Sequence, residues 1–306
     1  MFRILGGIYF GWSLGANDAA NVFGTAVYTK ILKFRTAILL LAIFIMLGSV
    51  IEGPKCMQLM SKVADISLDQ VMTITISAAI TMTLLTLWAI PSSSSQAVMG
   101  AVIGSALVAG NPDFSVILKT IIAWLFTPIG AAVIAYILYR LADSLFSRLN
   151  LGPSKFDIVI KAGVILSGCY AAYALGANNV ANVTGVYVAS GILNPLSASL
   201  IGGASIVFGA ATFSKRVMAT VGGKITHLGP LSGLIAILAQ AITLHIYTII
   251  GVPVSSSQAI VGAVAGIGLV RGIQALNKKM LAQIGIGWIT TPLIAGVLAY
   301  FATMIF

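Results

Sequence analysis

Long apolar runs recur along the whole chain, separated by short polar stretches. They lie near residues 4–28, 36–60, 69–90, 92–109, 115–140, 158–189, 196–220, 230–251, 254–270 and 281–305, ten in all. An apolar helix of roughly 18 to 25 residues crosses about 30 Å of hydrocarbon at about 1.5 Å per residue. The pattern predicts an all-α integral membrane protein. The first run follows Arg3 in the manner of a signal peptide, but its sequence recurs mid-chain, where no signal peptide acts, so it is read as a retained span.

The same pattern is written twice. "GANDAANVFGTAVYTKIL" from Gly15 matches "GANNVANVTGVYVASGIL" from Gly176, an offset of 161 residues. "PSSSSQAVMGAVIGSALV" from Pro91 matches "PVSSSQAIVGAVAGIGLV" from Pro253 at an offset of 162, and "WLFTP" from Trp124 matches "WITTP" from Trp288 at 164. Three ordered matches indicate an internal duplication. The predicted organisation is a first repeat over 1–143, a polar cytoplasmic linker over 144–157 and a second repeat over 158–306, with about five transmembrane segments in each repeat.

Composition agrees with the membrane reading: of 306 residues, 59% are hydrophobic and 8% charged, with a mean hydropathy of +1.05. The formal charge of +10 does not point to nucleic acid, because the Lys and Arg residues sit in short loops between apolar runs. Those loops alternate in sign between the copies. The loop after the first run carries Lys30, Lys33 and Arg35, and its counterpart near Gly191 carries none. After the second run, Glu52, Lys55, Lys62, Asp65 and Asp69 sum to −1, whereas the counterpart has Lys215, Arg216 and Lys224. After the fourth, Asp113 stands against Arg271, Lys278 and Lys279. Cytoplasmic loops collect basic residues, so the second copy is expected to be inverted, with both termini extracytoplasmic and Arg148 and Lys155 of the linker inside. Inverted repeats are the architecture of secondary transporters, whose substrate site lies at midplane on discontinuous helices.

Two pairs of interrupted segments carry the candidate chemistry. Gly15 and Gly176 are expected to break a helix, with Asn17 and Asn178 capping its restart and Asn21 and Asn182 one turn on. Asp18 sits in that first turn, where the helix dipole favours negative charge. A carboxylate at membrane depth still costs on the order of 3 kcal/mol. Hard cations such as Na⁺ take oxygen ligands, which Asn17, Asp18, Asn21 and the carbonyls freed by a helix break would supply. In the second pair, Pro91 and Pro253 end one run, and the polar stretches Ser92 to Gln96 and Ser255 to Gln258 open the next. The apolar stretch 97–109 spans only about 20 Å as helix, so its N-terminus is expected to lie below the membrane surface. A helix N-terminus fringed with serines suits an anion. No Lys or Arg falls within these segments, and Glu52 has Lys55 as a helical partner. An oxyanion here needs a co-bound cation, which makes a symporter.

These residues carry a resemblance over nearly the whole chain. The duplicated "GANDAAN" and "GANNVAN", each followed by its serine turn, resemble the inorganic phosphate transporter (PiT) family of cation-coupled symporters. The resemblance implies an inverted-repeat fold with broken helices and re-entrant-like short segments, phosphate bound at those breaks, Na⁺ or H⁺ coupling and a homodimer. It assigns phosphate contacts to Asn17, Ser93, Ser94, Ser95, Gln96, Asn178, Ser255, Ser256, Ser257 and Gln258. It assigns sodium contacts to Asp18, Asn17, Asn21, Asn178, Asn179 and Asn182. The family usually has Asp in both signatures, whereas the second copy here carries Asn179.

The expected function is sodium-coupled phosphate import by alternating access, with proton coupling or a sulfate permease of the same fold as alternatives. A passive channel would need a continuous polar path. An intramembrane enzyme would need paired acids, a metal cluster or an activated nucleophile. His227 and His245 belong to no repeated motif and are read as structural, as are Cys56 and Cys169, so no enzyme and no resident cofactor are expected.

Overall fold

The computed structural model describes all residues except 1–2, 64–65, 88–91, 111, 150–151, 227–228, 273–277 and 306. Eleven α-helices run through the described residues: α1 (Ile4–Tyr28), α2 (Phe34–Ile51), α3 (Gly53–Val63), α4 (Gln70–Leu87), α5 (Ser94–Ala109), α6 (Phe114–Leu149), α7 (Pro153–Ala189), α8 (Pro195–Thr226), α9 (Pro230–Ile250), α10 (Ser256–Arg271) and α11 (Lys278–Ile305). Seven of them, α2, α4, α6, α7, α8, α9 and α11, contain stretches long and apolar enough to cross a membrane. At 25 residues α1 is long enough as well, but its Asn17, Asp18 and Asn21 dilute its hydropathy. The helices α5 and α10, at 16 residues each, are the short segments the serine motifs predict.

Packing is reciprocal between the two copies of the repeat. Helix α1 lies against α8 and α4, and its counterpart α7 lies against α2 and α9. Helix α5 lies against α11, and α10 against α6. The centre is built from α1 and α7, with Phe10, Leu14, Phe23 and Tyr187 fully buried. Outer faces are apolar and exposed, as at Leu125, Ile129, Leu293 and Phe301, which suits hydrocarbon surroundings.

Glycine decides how closely these helices meet. A Cβ on Gly100 of α5 would stand 2.3 Å from the carbonyl oxygen of Pro292 on α11, and one on Gly104 2.1 Å from that of Gly296. The second copy repeats this: Gly262 and Gly266 of α10 meet the carbonyls of Pro128 and Ala132 on α6, each at 2.1 Å. These are small-xxx-small contacts, which let helix backbones touch in membranes. They also explain the matched "WLFTP" and "WITTP", whose prolines lie inside α6 and α11 at the two contacts.

Two sequence expectations change. Helices α1 and α7 run unbroken through Gly15 and Gly176. Those glycines serve contact instead: a Cβ on Gly15 would fall 1.9 Å from the carbonyl oxygen of Ile206, and one on Gly176 2.2 Å from that of Ile45. The run near 36–60 breaks at Glu52, because Pro54 lacks the N–H that would bond back to residue 50. The stretch 144–157 is mostly helical, with α6 reaching Leu149, α7 starting at Pro153, and Phe146 packed edge-on against Phe156 at 5.3 Å. Pro91 and His227 lie outside the described residues.

Candidate functional site

Both serine turns begin helices in the same way. Ser93 is the N-cap of α5, its hydroxyl accepting the Gln96 N–H at 3.4 Å, and Ser255 is the N-cap of α10, accepting the Gln258 N–H at 3.2 Å. In each turn the capping serine also meets the serine two residues on, Ser95 or Ser257, at 3.2 Å. A side-chain oxygen at the N-cap satisfies one of the four free N–H groups there. Ser93 and Ser255 therefore shape the helix starts, which leaves Ser94 and Ser256 one position further in.

The turns meet. The Ser257 hydroxyl donates to the carbonyl oxygen of Ser92 at 2.7 Å, joining the start of α10 to the start of α5. Asp18 of α1 stands at the same place, wholly buried. Ser94 donates to its Oδ2 at 3.1 Å, the Ser256 side chain lies near the carboxylate, and both Asp18 Oδ1 and the Ser256 hydroxyl are without a hydrogen-bond partner.

Asn17 and Asn178 act as matched braces. Asn17 Nδ2 donates to Thr86 Oγ1 at 3.0 Å and lies 3.4 Å from the Ser92 hydroxyl. Asn178 Nδ2 donates to Thr248 Oγ1 at 3.2 Å and to the carbonyl of Val252 at 3.2 Å, and its Oδ1 accepts the Val254 N–H at 2.8 Å. Each asparagine thus ties the unbroken helix that bears it to the residues entering a serine turn. The Asn178 amide oxygen, assigned by resemblance to phosphate and sodium, accepts one bond from the backbone it holds.

The remaining predicted residues are buried as well. Asn182 Nδ2 donates to Asn179 Oδ1 at 3.2 Å, leaving Asn179 Nδ2 and Asn182 Oδ1 unpaired and buried. Asn21 is buried one turn beyond Asp18. Gln96 and Gln258 are buried, and their Oε1 atoms are unpaired. Buried polar atoms without partners are uncommon in folded proteins, and these make the residues candidates for ligand contacts. The unpaired oxygens suit a cation, and the unpaired N–H and O–H groups suit an anion.

One further residue escaped the sequence reading. Gln240 of α9 is fully buried, its Nε2 lies 3.5 Å from the Ser256 carbonyl oxygen, and its Oε1 is unpaired. Its counterpart at the repeat offset of 162 is Ala78, so comparison of the two copies alone gave no signal. Among the described residues, no three His, Cys, Asp or Glu side chains gather as metal ligands, and Cys56 and Cys169 are free and buried.

Comparisons with known proteins agree in kind. The family model described as "Phosphate transporter family" matches residues 14–299. "Putative phosphate permease MJ0630" of Methanocaldococcus jannaschii is 32% identical over 292 residues, covering 95% of this chain and 93% of its own. "Sulfate permease CysP" of Bacillus subtilis is 28% identical over 311 residues, covering 99% and 87%. A solved structure described as "The sodium-dependent phosphate transporter" superposes with a TM-score of 0.88 at 22% identity, covering 99% of this chain and 97% of that one, which establishes a shared fold.

Proposed function

The chain belongs to the phosphate transporter family, a family of transporters and not enzymes, and from that premise we propose that it is a sodium-coupled symporter of inorganic phosphate. The observation that carries this reading is the convergence of two helix N-termini and one carboxylate at a buried point: Ser257 on Ser92 at 2.7 Å and Ser94 on Asp18 at 3.1 Å. Helix N-termini and serine hydroxyls favour an oxyanion. A carboxylate beside them repels one, and in a medium of low dielectric that repulsion is large. A cation shared between Asp18 Oδ1 and nearby amide oxygens turns the repulsion into attraction, so the anion binds well only with its cation.

In this reading Ser94, Ser95, Ser256 and Ser257 contact phosphate, with Gln96 and Gln258 beside them. Asp18, Asn21, Asn179 and Asn182 hold Na⁺, and Asn17 and Asn178 position the turns. The loop charges support placing both termini on the outer face, and the family resemblance supports a homodimer.

The test is uptake of labelled phosphate into proteoliposomes, with a Na⁺ gradient, a pH gradient or neither, and with sulfate as competitor. Sodium-driven phosphate uptake that is lost in Asp18→Asn is the expected result. Uptake driven by the pH gradient alone replaces Na⁺ with H⁺ at Asp18, and preference for sulfate moves the substrate to that anion, as the sulfate permease relative illustrates. Unchanged Na⁺-dependent uptake in Asp18→Asn refutes the cation assignment.

A further inference from the structure

Apart from the serine turns, Glu52 at the α2–α3 break gathers titratable groups from three helices. Its Oε1 accepts from Lys55 Nζ of α3 at 2.5 Å. Its Oε2 lies 3.0 Å from His245 Nε2 of α9, as an ion-pair contact and not an aligned hydrogen bond. On the far side of the imidazole, Nδ1 is 2.7 Å from the Tyr170 hydroxyl of α7. Tyr173 of α7 also stands beside Glu52, and both tyrosine rings stand edge-on to the imidazole. The cluster opens to the surface on one side, with the side chains of Glu52, His245 and Lys55 exposed by 13%, 27% and 47%.

The other copy of the repeat builds this scaffold without groups that titrate near neutrality. Tyr9, the counterpart of Tyr170, bonds Thr83, the counterpart of His245, at 2.9 Å. Trp12, the counterpart of Tyr173, donates to Thr212 at 2.8 Å. Packing therefore does not require the charges.

The cluster adjoins the second serine turn. Next to Lys55, Cys56 Sγ is 3.8 Å from Asn178 Nδ2. Thr248, one turn on from His245, accepts from the same Asn178 amide at 3.2 Å. The Lys55 carbonyl oxygen lies 3.1 Å from where a Cβ on Gly251 would be, at the entry to that turn.

We propose that Glu52 and His245 form a proton-binding site that tunes anion affinity at the second serine turn. Histidine ordinarily titrates between about pH 5 and 8. With neutral imidazole, Glu52 and Lys55 cancel. A proton taken up by His245 from the open side leaves the cluster with one net positive charge beside an anion site that has no basic side chain of its own. Affinity for the oxyanion then rises as pH falls. The inference rests on the reading of the serine turns as an anion site.

The test uses the full chain in proteoliposomes, with the phosphate KM measured under saturating Na⁺ from about pH 5.5 to about 8. In the wild type KM falls on acidification, on the order of threefold to tenfold for one charge acting through a partly hydrated interior. His245→Gln keeps the high-pH KM throughout. Glu52→Gln leaves Lys55 unopposed and lowers the KM at the high-pH end of the range. Every variant meets the same mixture of mono- and divalent phosphate, so differences between profiles belong to the protein. A wild-type profile retained in His245→Gln overturns the proposal. If the wild type takes up no phosphate at any pH, the functional reading has failed, and the proton site is judged on melting temperature in detergent. The Tm difference between wild type and His245→Gln then varies across this pH range if the pair binds a proton. A constant difference overturns it.

Discussion

The Ser257 hydroxyl donates to the Ser92 carbonyl oxygen at 2.7 Å, across 165 residues of sequence, and fastens the start of one short helix to the start of its repeat counterpart. The proposed alternating access needs the two copies to move against one another around a fixed site, and this bond lies at the site proposed for phosphate. Ser257→Ala removes it while Ser92 keeps its backbone course. We expect a stability loss of about 1 kcal/mol, the net worth of an ordinary hydrogen bond, read as a small drop in melting temperature. Phosphate KM should rise by a larger factor, because the variant also deletes a hydroxyl assigned to substrate.

The α5–α11 and α10–α6 contacts admit no side chain. In Gly262→Val the new Cβ would meet the Pro128 carbonyl oxygen at 2.1 Å, and in Gly100→Val the Pro292 carbonyl oxygen at 2.3 Å. Backbone cannot yield as a flexible side chain does, so each variant should lose about 1–3 kcal/mol or more. Gly130→Ala, with nothing within 4 Å of its Cβ position, should melt like the wild type in the same detergent assay.

Asn178→Ala leaves the buried Val254 N–H and the Thr248 hydroxyl without their partner. A buried donor left unsatisfied costs about 1–3 kcal/mol. The effect should appear mainly as a lower maximal uptake rate, since the turn loses its position and not a substrate ligand. Asn178→Asp keeps the acceptor for Val254 and should retain more activity than Asn178→Ala. Equal loss in both would assign Asn178 to the substrate or cation directly.

Gln240→Leu separates a ligand from a filler. If the unpaired Oε1 only fills space, removing a buried unsatisfied acceptor should leave stability unchanged or raise it with transport intact. We expect transport to suffer while stability holds. The Na⁺ concentration for half-maximal uptake should rise about tenfold, the change that corresponds to about 1.4 kcal/mol of binding.

Much of the fold was legible because each copy of the repeat checks the other. The first run, 4–28, matches α1 residue for residue, and the serine motifs gave the two short helices, whose N-caps the structure sets at Ser93 and Ser255. The glycines misled. Gly15 in a polar cluster reads as a helix break, since glycine favours non-helical backbone, yet α1 passes through it because the α8 backbone at Ile206 occupies the space of a side chain. No local pattern distinguishes a glycine that bends a helix from one that admits another helix.

The sequence by itself determined that this is a duplicated, many-helix membrane chain with one intramembrane acid in its repeated motifs, Asp18, and two serine-rich helix starts. Hydrophobic periodicity and local capping act within a few residues, so one strand of text is enough to show them. Tertiary structure alone decided that the two serine turns share one buried centre with Asp18, that Asn17 and Asn178 hold them there, and that Gln240 and the Glu52–His245 pair stand beside them. Those contacts join residues dozens to nearly two hundred positions apart, and their geometry is set by backbone-to-backbone helix packing, which no single segment encodes.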